Sequence, residues 1–260
     1  MKKILYTGAR SGISDYVIDK LIKKKYFIYI TVHTKYQEEI MREKYIKNKN
    51  VKVFKLDITD KNDRQKLLDL DIDILINNAA IGEGGSLTEI DMDRVRENFE
   101  VNVFSSFEIV QLVLKMMLKK SSGKIIIMSS LASIIPVNFL GAYCGTKASI
   151  SQMTRVLKNE VKLLNKNIKV VLIEPGMYHT GFNQVMLENK YKYMDIDSYF
   201  QSQIKEIRKK ENLLFNLLEK KNLSSIGNKI VSAVNDKNPK FIYRAPFFQS
   251  LGTKIYSLFK

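Results

Sequence analysis

Short runs of β-branched and aliphatic residues alternate with longer amphipathic stretches from residue 2 to about residue 175. This alternation is typical of βαβ units, in which neighbouring strands are parallel and each crossover is a helix. Because such crossovers pack helices on both faces of a sheet, the pattern predicts an α/β fold with an open, doubly wound parallel sheet. The predicted strands are residues 4–6, 27–32, 51–55, 72–76, 124–128 and 169–173, with a short seventh at 241–243, and the predicted helices are 13–24, 36–46, 61–69, 92–119, 142–164 and 224–235.

Length and composition indicate a single globular domain. The chain has 260 residues, 45% of them hydrophobic and 27% charged, which is near the upper size for one hydrophobic core. The regular alternation ends near residue 176, and residues 177–223 form a Lys/Asn-rich insertion that is helical in places. We expect this insertion to be either a lid over a pocket or a helical hairpin that closes the core. Residues 245–260 form an amphipathic tail.

Several classes of protein are excluded by residue counts. One cysteine and two histidines allow neither a disulfide framework nor a Cys/His zinc site, and we expect no metal. The apolar part of the first eight residues is too short for a signal peptide. No run approaches the roughly 20 apolar residues of a membrane-spanning helix. The sequence therefore predicts a cytoplasmic protein.

The net charge of +16, from 43 basic and 27 acidic residues, is typical of proteins with a polyanionic partner. The basic residues are mostly lysines spread along the whole chain, whereas recognition of bases and phosphates favours arginine. We therefore expect a solvated basic surface and no nucleic-acid partner.

A glycine-containing turn, Thr7-Gly8-Ala9-Arg10-Ser11-Gly12-Ile13-Ser14, follows the first predicted strand and opens the first predicted helix. Glycines at this place let the backbone approach a pyrophosphate, which then sits on the N–H groups of the helix N-terminus. The alternative is that both glycines serve only as turn residues. The βαβ context favours the dinucleotide site.

A tyrosine and a lysine four residues apart lie on one face of a helix, where the ammonium group can favour ionisation of the phenol. The chain contains four such pairs: Tyr16/Lys20, Tyr45/Lys49, Tyr143/Lys147 and Tyr256/Lys260. The spacing alone therefore identifies nothing. Tyr143 is distinguished by its position, because it lies 13 residues after Ser130 at the end of a predicted strand.

Taken in order along the chain, these elements resemble the classical short-chain dehydrogenase/reductase family. The resemblance rests on the TGxxxGI turn at residues 7–13, Leu56-Asp57-Ile58, Asn77-Asn78-Ala79-Ala80, Asn102, the Ser130/Tyr143/Lys147 spacing, and Pro175-Gly176 followed by Thr180. It departs from the family pattern at Ser14, Ala80, Ser133 and Gly145-Thr146. None of these departures removes a reacting group.

The resemblance implies a Rossmann-like fold and hydride transfer between a nicotinamide and a ketone or secondary alcohol. It makes Tyr143 the proton donor or acceptor and Ser130 a hydrogen-bond donor to the substrate oxygen. It further implies that Lys147 lowers the pKa of Tyr143 and binds the nicotinamide ribose, and that Asn102 holds a water that links Lys147 to solvent. The catalytic residues are thus expected to be Asn102, Ser130, Tyr143 and Lys147.

The end of the second predicted strand indicates NADP(H), with NAD(H) less favoured. NAD sites place a carboxylate about 20 residues past the turn glycines, but here the first one is Glu38. Arg10, His33 and Lys35 would instead attract a 2′-phosphate. The expected cofactor-binding residues are Thr7, Gly8, Arg10, Ser11, Gly12, Ile13, His33, Lys35, Asp57, Ile58, Asn77, Ala79, Tyr143, Lys147, Pro175, Gly176 and Thr180.

Alternative functions remain open. A 3-oxoacyl-carrier-protein reductase would suit the basic surface, because carrier proteins are acidic. A dinucleotide-binding protein without turnover is the other alternative, since Ser14 adds bulk at the helix start. The substrate is expected to be a small carbonyl or alcohol, and the helix at 92–119 resembles the family's dimerisation helix, which predicts a homodimer or homotetramer. For the tail we favour packing on the pocket or on another subunit over a membrane surface.

Overall fold

The computed structural model describes residues 1–10, 12–194 and 198–259. Seven strands form one all-parallel sheet in the order β3-β2-β1-β4-β5-β6-β7, which confirms the predicted doubly wound α/β fold. The strands are β1 Lys3–Tyr6, β2 Phe27–Val32, β3 Val51–Lys55, β4 Ile74–Asn77, β5 Ser122–Met128, β6 Asn167–Pro175 and β7 Ile242–Ala245.

Helices cover both faces of the sheet and its carboxyl edge. They are α1 Ile13–Lys23, α2 Lys35–Lys44, α3 Lys61–Gln65, α4 Met92–Phe99, α5 Ser106–Lys120, α6 Gly141–Leu163, α7 Phe182–Met194, α8 Gln201–Leu218, α9 Ser224–Asn235 and α10 Phe247–Leu258. Short 3₁₀ turns follow α3 at Lys66–Asp69 and precede α6 at Leu131–Ser133.

The strands are almost continuously apolar because helices bury the sheet on both faces. In β1, Ile4, Leu5 and Tyr6 are all inaccessible to solvent. Successive side chains point to opposite faces. Ile4 and Tyr6 therefore pack with α1 and α9, whereas Leu5 packs in the second core layer with α5.

The register of the strands brings their carboxyl ends to one edge of the sheet. Tyr6 pairs with Ile76, and Met128 pairs with Ile173 on β6. The residues that follow β1, β4, β5 and β6 consequently meet in one place. In an open parallel sheet this edge is where ligands bind.

The predicted helix at 92–119 is interrupted in the structure. A π-helical turn, Glu100–Ser105, separates α4 from α5. By length and composition, the whole stretch Met92–Lys120 is long and apolar enough to cross a membrane. The expectation that no run of the chain approaches this length is therefore wrong. However, Ile109, Val110 and Met117 are completely buried against the sheet. Burial in the core therefore accounts for part of the apolar character of this stretch, whose apolar part is 44% buried.

The insertion at 177–223 contains α7 and α8. Its two ends pair with each other, because Lys220 N donates to Met177 O (3.0 Å) and His179 N donates to Lys220 O (3.1 Å). Inside the insertion, the fully buried ammonium of Lys190 on α7 lies 2.5 Å from a carboxylate oxygen of Glu211 on α8. The insertion thus leaves the sheet and returns to it at neighbouring points, and its two helices are joined by an ion pair.

Candidate active site

The turn between β1 and α1 requires its glycines. Gly8 and Gly12 have φ angles of +62° and +64°, which side chains of L-residues rarely tolerate. A Cβ atom on Gly8 would lie 2.5 Å from Cα of Ala79, and one on Gly12 would lie 2.8 Å from Cβ of Thr180. Gly12 also caps α1 without a side chain. The glycines therefore let the turn pack closely against Ala79 and Thr180, which positions the N-terminus of α1 beside the ends of the neighbouring strands.

Thr7 and Asn77 hold this turn against the end of β4. The Thr7 hydroxyl oxygen accepts hydrogen bonds from the backbone N–H groups of Asn78 (2.9 Å) and Ala79 (3.1 Å). The Asn77 side chain donates to Ser106 Oγ at 2.8 Å. Both residues are buried and neither lines the cavity described below. Thr7 and Asn77 therefore position the glycine turn and the end of β4 relative to each other.

Asp57 and His33 lie together at the far end of the site, at the ends of β3 and β2. His33 Nε2 is 3.3 Å from Asp57 Oδ2, and the Thr59 hydroxyl donates to the same carboxylate at 2.7 Å. Partial burial raises the pKa of Asp57, but the hydrogen bonds from Thr59 and the interaction with His33 outweigh it, so the pKa is lowered. Asp57 is therefore a fixed anionic acceptor at neutral pH.

Lys35 is directed elsewhere. Its ammonium lies 2.9 Å from the buried Glu38 carboxylate, which Arg42 also contacts at 2.6 Å. These interactions neutralise the first carboxylate after β2 and keep it away from the cavity wall. Arg10, by contrast, is exposed and lines the cavity beside His33.

Tyr143 and Lys147 lie one turn apart in the first half of α6, and both are buried. The ammonium nitrogen of Lys147 is 5.6 Å from the centre of the Tyr143 ring and donates to Met128 O at 3.3 Å. Ser130 stands at the end of β5, with its Oγ accepting from Ala132 N at 3.1 Å. Of the four Tyr–Lys pairs in the sequence, this one therefore adjoins a strand-end serine, as the sequence predicts.

Burial controls the protonation of these groups. It raises the pKa of the Tyr143 phenol above its ordinary value, and the hydrogen bond with Ser130 only partly opposes this effect. Burial lowers the pKa of Lys147 to about 8. The expectation that Lys147 lowers the pKa of Tyr143 is corrected here, since desolvation is the dominant effect on the phenol and Ser130 is the neighbour that opposes it.

Asn102 lies inside the π-helical turn and is completely buried. Its side-chain oxygen accepts from Ile81 N at 2.8 Å, and its nitrogen donates to Ile81 O (2.9 Å) and Thr146 Oγ1 (3.1 Å). It joins the segment after β4 to α6, one turn from Tyr143. The Asn102 side-chain amide is bonded to Ile81 and Thr146 and makes no hydrogen bond to Lys147. The expected water link between Asn102 and Lys147 therefore stays a prediction.

One cavity of about 1300 Å³ joins the glycine turn to Ser130, Tyr143 and Lys147. It exceeds the roughly 300–1,000 Å³ of a single small-molecule site. Among the expected cofactor residues, those that line it are Gly8, Arg10, Ile13, His33, Asp57, Ile58, Ala79, Tyr143, Lys147, Pro175, Gly176 and Thr180. Thr7, Gly12, Lys35 and Asn77 do not, and Ser11 lies outside the described residues. The glycine turn, the Asp57 acceptor and this volume fit a dinucleotide with a second ligand beside it.

Sequence reasoning missed the apolar half of this cavity. It is lined by Ile135, Pro136, Val137, Met177, Phe182, Met186, Leu214, Phe215, Leu218, Phe248, Gln249 and Gly252. Phe182 packs on the Tyr143 ring, with 5.8 Å between ring centres. Met177 lies within the Pro175–Thr180 segment and Phe182 follows it closely. The sequence indicates the insertion and the tail as segments near a pocket, but no local signal identifies which of their side chains line it.

This parallel sheet, with a glycine turn after β1 and a Ser/Tyr/Lys set at its carboxyl edge, defines a dinucleotide-binding oxidoreductase fold. Residues 2–190 match the family model described as short chain dehydrogenase. The chain belongs to the short-chain dehydrogenase/reductase family and is an NAD(P)-dependent oxidoreductase.

Two curated relatives extend this comparison. The NADPH-dependent 3-dehydrocapnine reductase of Ornithobacterium rhinotracheale is 28% identical over 192 residues, which cover 69% of this chain and 66% of that protein. The 3-ketodihydrosphingosine reductase of Bacteroides thetaiotaomicron is 29% identical over 246 residues, covering 92% of this chain and 85% of that protein. The first alignment thus spans just under two thirds of its relative.

Solved structures of the family share the fold at low identity. The closed form of serine dehydrogenase complexed with NADP⁺ has a TM-score of 0.77 at 18% identity, covering 94% of each chain. A short-chain dehydrogenase/reductase from Burkholderia phymatum in complex with NAD has a TM-score of 0.78 at 18% identity, covering 93% of this chain and 88% of that one.

Proposed function

We propose that the protein is an NADP(H)-dependent carbonyl reductase, able in reverse to oxidise a secondary alcohol. The observation that carries this proposal is the meeting of Ser130, Tyr143 and Lys147 at one wall of a cavity whose other end suits a dinucleotide. A binding protein without turnover has no need of all three groups. This argues against the non-catalytic alternative.

A bound reduced nicotinamide would supply the hydride that forms the new C–H bond, and a bound oxidised nicotinamide would accept that hydride in the reverse direction. The protein handles the proton. During reduction the Tyr143 hydroxyl gives its proton to the developing alkoxide, while the Ser130 hydroxyl donates a hydrogen bond to the same oxygen. In oxidation the Tyr143 oxygen takes the proton from the alcohol.

The protonation of Tyr143 suits its role as the proton donor in reduction. Because burial raises the pKa of its phenol, the hydroxyl keeps its proton at neutral pH and is ready to act as an acid. Lys147, with a pKa of about 8, is largely charged at pH 7, so its ammonium group can hold the nicotinamide ribose, as the family resemblance implies.

Three observations support NADP(H) over NAD(H). Arg10 and His33 line the end of the cavity where the adenosine ribose would lie, and Glu38 is paired with Lys35 and Arg42 away from the cavity. A 2′-phosphate thus meets the Arg10 guanidinium there, whereas a 2′-hydroxyl finds no carboxylate from β2. The Ornithobacterium relative is named as NADPH-dependent.

The names of the two relatives support a ketone as substrate, since both are reductases and one acts on a 3-keto compound. A 3-oxoacyl-carrier-protein reductase activity is the second candidate, favoured by the net charge of +16. A carrier-bound 3-oxoacyl thioester and a free ketone, compared at equal concentration, distinguish the two activities.

We also propose that the protein is cytoplasmic and forms a homodimer or homotetramer. Phe104 in the π-helical turn and Leu163 at the end of α6 are large apolar residues that are 56% and 80% exposed. They offer surface for a second copy of the chain. Sedimentation velocity of the purified protein tests the assembly, and cell fractionation tests the location.

The experiment that tests the function replaces Tyr143 by Phe. We expect Tyr143→Phe to reduce turnover of a ketone panel with NADPH by several orders of magnitude, with NADPH affinity nearly unchanged, because only the proton donor is removed. Tyr16→Phe is the matched control, since Tyr16 belongs to another Tyr–Lys pair and its hydroxyl bonds to Asn228 on the surface. Normal turnover in Tyr143→Phe would refute the assignment.

A further inference from the structure

The last helix, α10, presents its apolar side chains to the outside. Phe248 and Leu258 are 80% and 82% exposed. The helix attaches to the protein through polar groups: Thr253 is buried, and the Gln249 side chain accepts from Met177 N at 2.8 Å. Amphipathic helices of globular proteins usually bury the apolar face. Here the arrangement is reversed, and the exposed apolar face lacks a covering element among the described residues.

The end of α8 continues this surface. Gln249 also donates to Leu218 O at 2.7 Å, which joins the C-terminal end of α8 to the first turn of α10. Exposed apolar residues therefore meet from two helices. We call this surface the apolar rim, and it consists of Leu213, Leu214, Leu217, Phe247, Phe248 and Leu251.

The apolar rim surrounds the mouth of the active-site cavity. Leu214 and Phe248 are half or more exposed, yet both line the cavity. Between them and Tyr143 the cavity wall is formed by Phe182, Met186 and other apolar side chains. A continuous apolar passage thus leads from the outer surface to the catalytic phenol.

Lysines flank the apolar rim. Lys209 lies one turn before Leu213, Lys220 and Lys221 follow α8, and Lys254 lies on α10, all of them exposed. Residues 247–259 contain no acidic side chain. Apolar side chains bordered by lysines are the pattern of segments that insert into the interface of membranes containing anionic lipid.

We propose that the apolar rim docks on the surface of a bilayer that contains anionic lipid, and that the substrate is an amphiphilic ketone with a long alkyl chain that enters through the rim. The substrate assignment rests on the proposed reductase function, whereas docking does not. A second copy of the chain fits this surface less well, because a two-fold axis there would bring the same lysines together.

The docking test uses co-sedimentation of the full chain with two kinds of vesicle, one of phosphatidylcholine and one of phosphatidylcholine with 30% phosphatidylglycerol. We expect the protein to pellet with the anionic vesicles and to be released by added salt. The double variant Phe247→Ser/Leu251→Ser, whose positions belong to the apolar rim but lie outside the cavity, should lose at least tenfold in vesicle affinity. It should keep its turnover of a short, water-soluble ketone.

The matched control is Ile46→Ser/Leu68→Ser, which removes two exposed apolar side chains outside the apolar rim. This control should bind vesicles like the parent. Absence of binding to anionic vesicles, or equal losses in both double variants, would overturn the docking proposal. Sedimentation velocity without vesicles tests whether a second copy of the chain covers the rim. If the α10 variant changes the oligomeric state and leaves vesicle binding unchanged, a second copy occupies the rim and the docking proposal fails.

The substrate class is tested with a series of 3-oxo compounds of increasing alkyl length and NADPH. We expect kcat/KM to rise up to about fourfold for each methylene that the apolar passage takes in. Independence of chain length would overturn the substrate class while leaving the reductase function intact. If no ketone in the series is reduced, the proposed function and the substrate class fail together, and the vesicle result still decides the docking.

Discussion

Arg244 donates from Nε to a carboxylate oxygen of Glu174 at 2.5 Å, across the adjacent ends of β7 and β6. The Glu174 side chain is completely buried, and Ser151 donates to its other oxygen at 3.0 Å. This buried ion pair stands directly before Pro175 and Gly176 on the cavity wall. It therefore fixes the strand end against which the cofactor is expected to bind.

We predict that Arg244→Met lowers the free energy of unfolding by about 3 kcal/mol, because it leaves a buried carboxylate without its main partner. Arg155 remains 3.8 Å from Glu174, which limits the loss. Urea unfolding measures the effect. The control is Arg96→Met, whose ion pair with Asp93 is exposed and should contribute less than about 1 kcal/mol. Equal losses in both variants would contradict the prediction.

Lys147 should destabilise the folded protein at neutral pH. Burial lowers its pKa to about 8, so below that pH the folded state carries a desolvated charge. We expect Lys147→Met to be more stable than the parent at pH 7, by on the order of 3 kcal/mol. Between pH 8 and about 10 the unfolded chain binds a proton that the folded chain does not, so the parent gains stability relative to the variant as pH rises.

The measurement for Lys147 is chemical denaturation of parent and variant at several pH values from 7 to 10. Lys20→Met, at the exposed Tyr16/Lys20 pair, is the control and should show a small difference that does not vary with pH. A difference for Lys147→Met that stayed constant across this range would show that its ammonium is not desolvated.

Gly8→Ala should abolish dinucleotide binding and destabilise the fold, because its Cβ would lie 2.5 Å from the backbone of Ala79 and the residue has a φ of +62°. Gly252→Ala on α10 is the contrasting substitution. A Cβ there meets nothing within 4 Å, so the variant should gain up to about 1 kcal/mol of stability. Thermal unfolding and NADPH fluorescence titration test both. Tight NADPH binding by Gly8→Ala would be the unexpected result.

Arg10→Ala should weaken NADPH binding by about tenfold and leave NADH binding nearly unchanged, because only the 2′-phosphate would lose a charged partner. Lys47→Ala is the control, since it removes an exposed positive charge outside the cavity. Titrating each variant with both dinucleotides separates a specific contact from the general attraction of a basic protein. If NADH affinity fell as much as NADPH affinity, Arg10 would not select between them.

The strands and the Ser130/Tyr143/Lys147 set could be predicted because their signals are local or regularly spaced. Apolar runs mark strands that are buried on both faces, and the strand-end context distinguishes one Tyr–Lys pair from three others. The main errors concern features set by tertiary contacts. The π-helical turn within 92–119 directs Asn102 to Ile81, and nothing in the local sequence signals this partner.

The ion-pair partner of Lys35 and the pKa of Tyr143 also could not be predicted from the sequence. Lys35 follows β2, which is the position expected of a phosphate-binding lysine, but its ammonium group pairs with the buried Glu38 three residues later. Similarly, the pKa of Tyr143 depends on how completely Phe182 and its neighbours exclude water. These outcomes follow from burial, which only the assembled structure determines.

Gln249 binds both ends of the 177–223 insertion, through Met177 N at one end and Leu218 O at the other. The insertion thus starts and finishes at a single side chain, beside the backbone pairing of Met177 with Lys220. The segment between these two hydrogen bonds is held at both ends and is separate from the strands of the sheet. Its length and apolar residues can diverge without displacing the strand ends that hold the catalytic groups. Changes within the insertion would therefore alter the apolar end of the cavity and leave the ends of β5 and β6 in place.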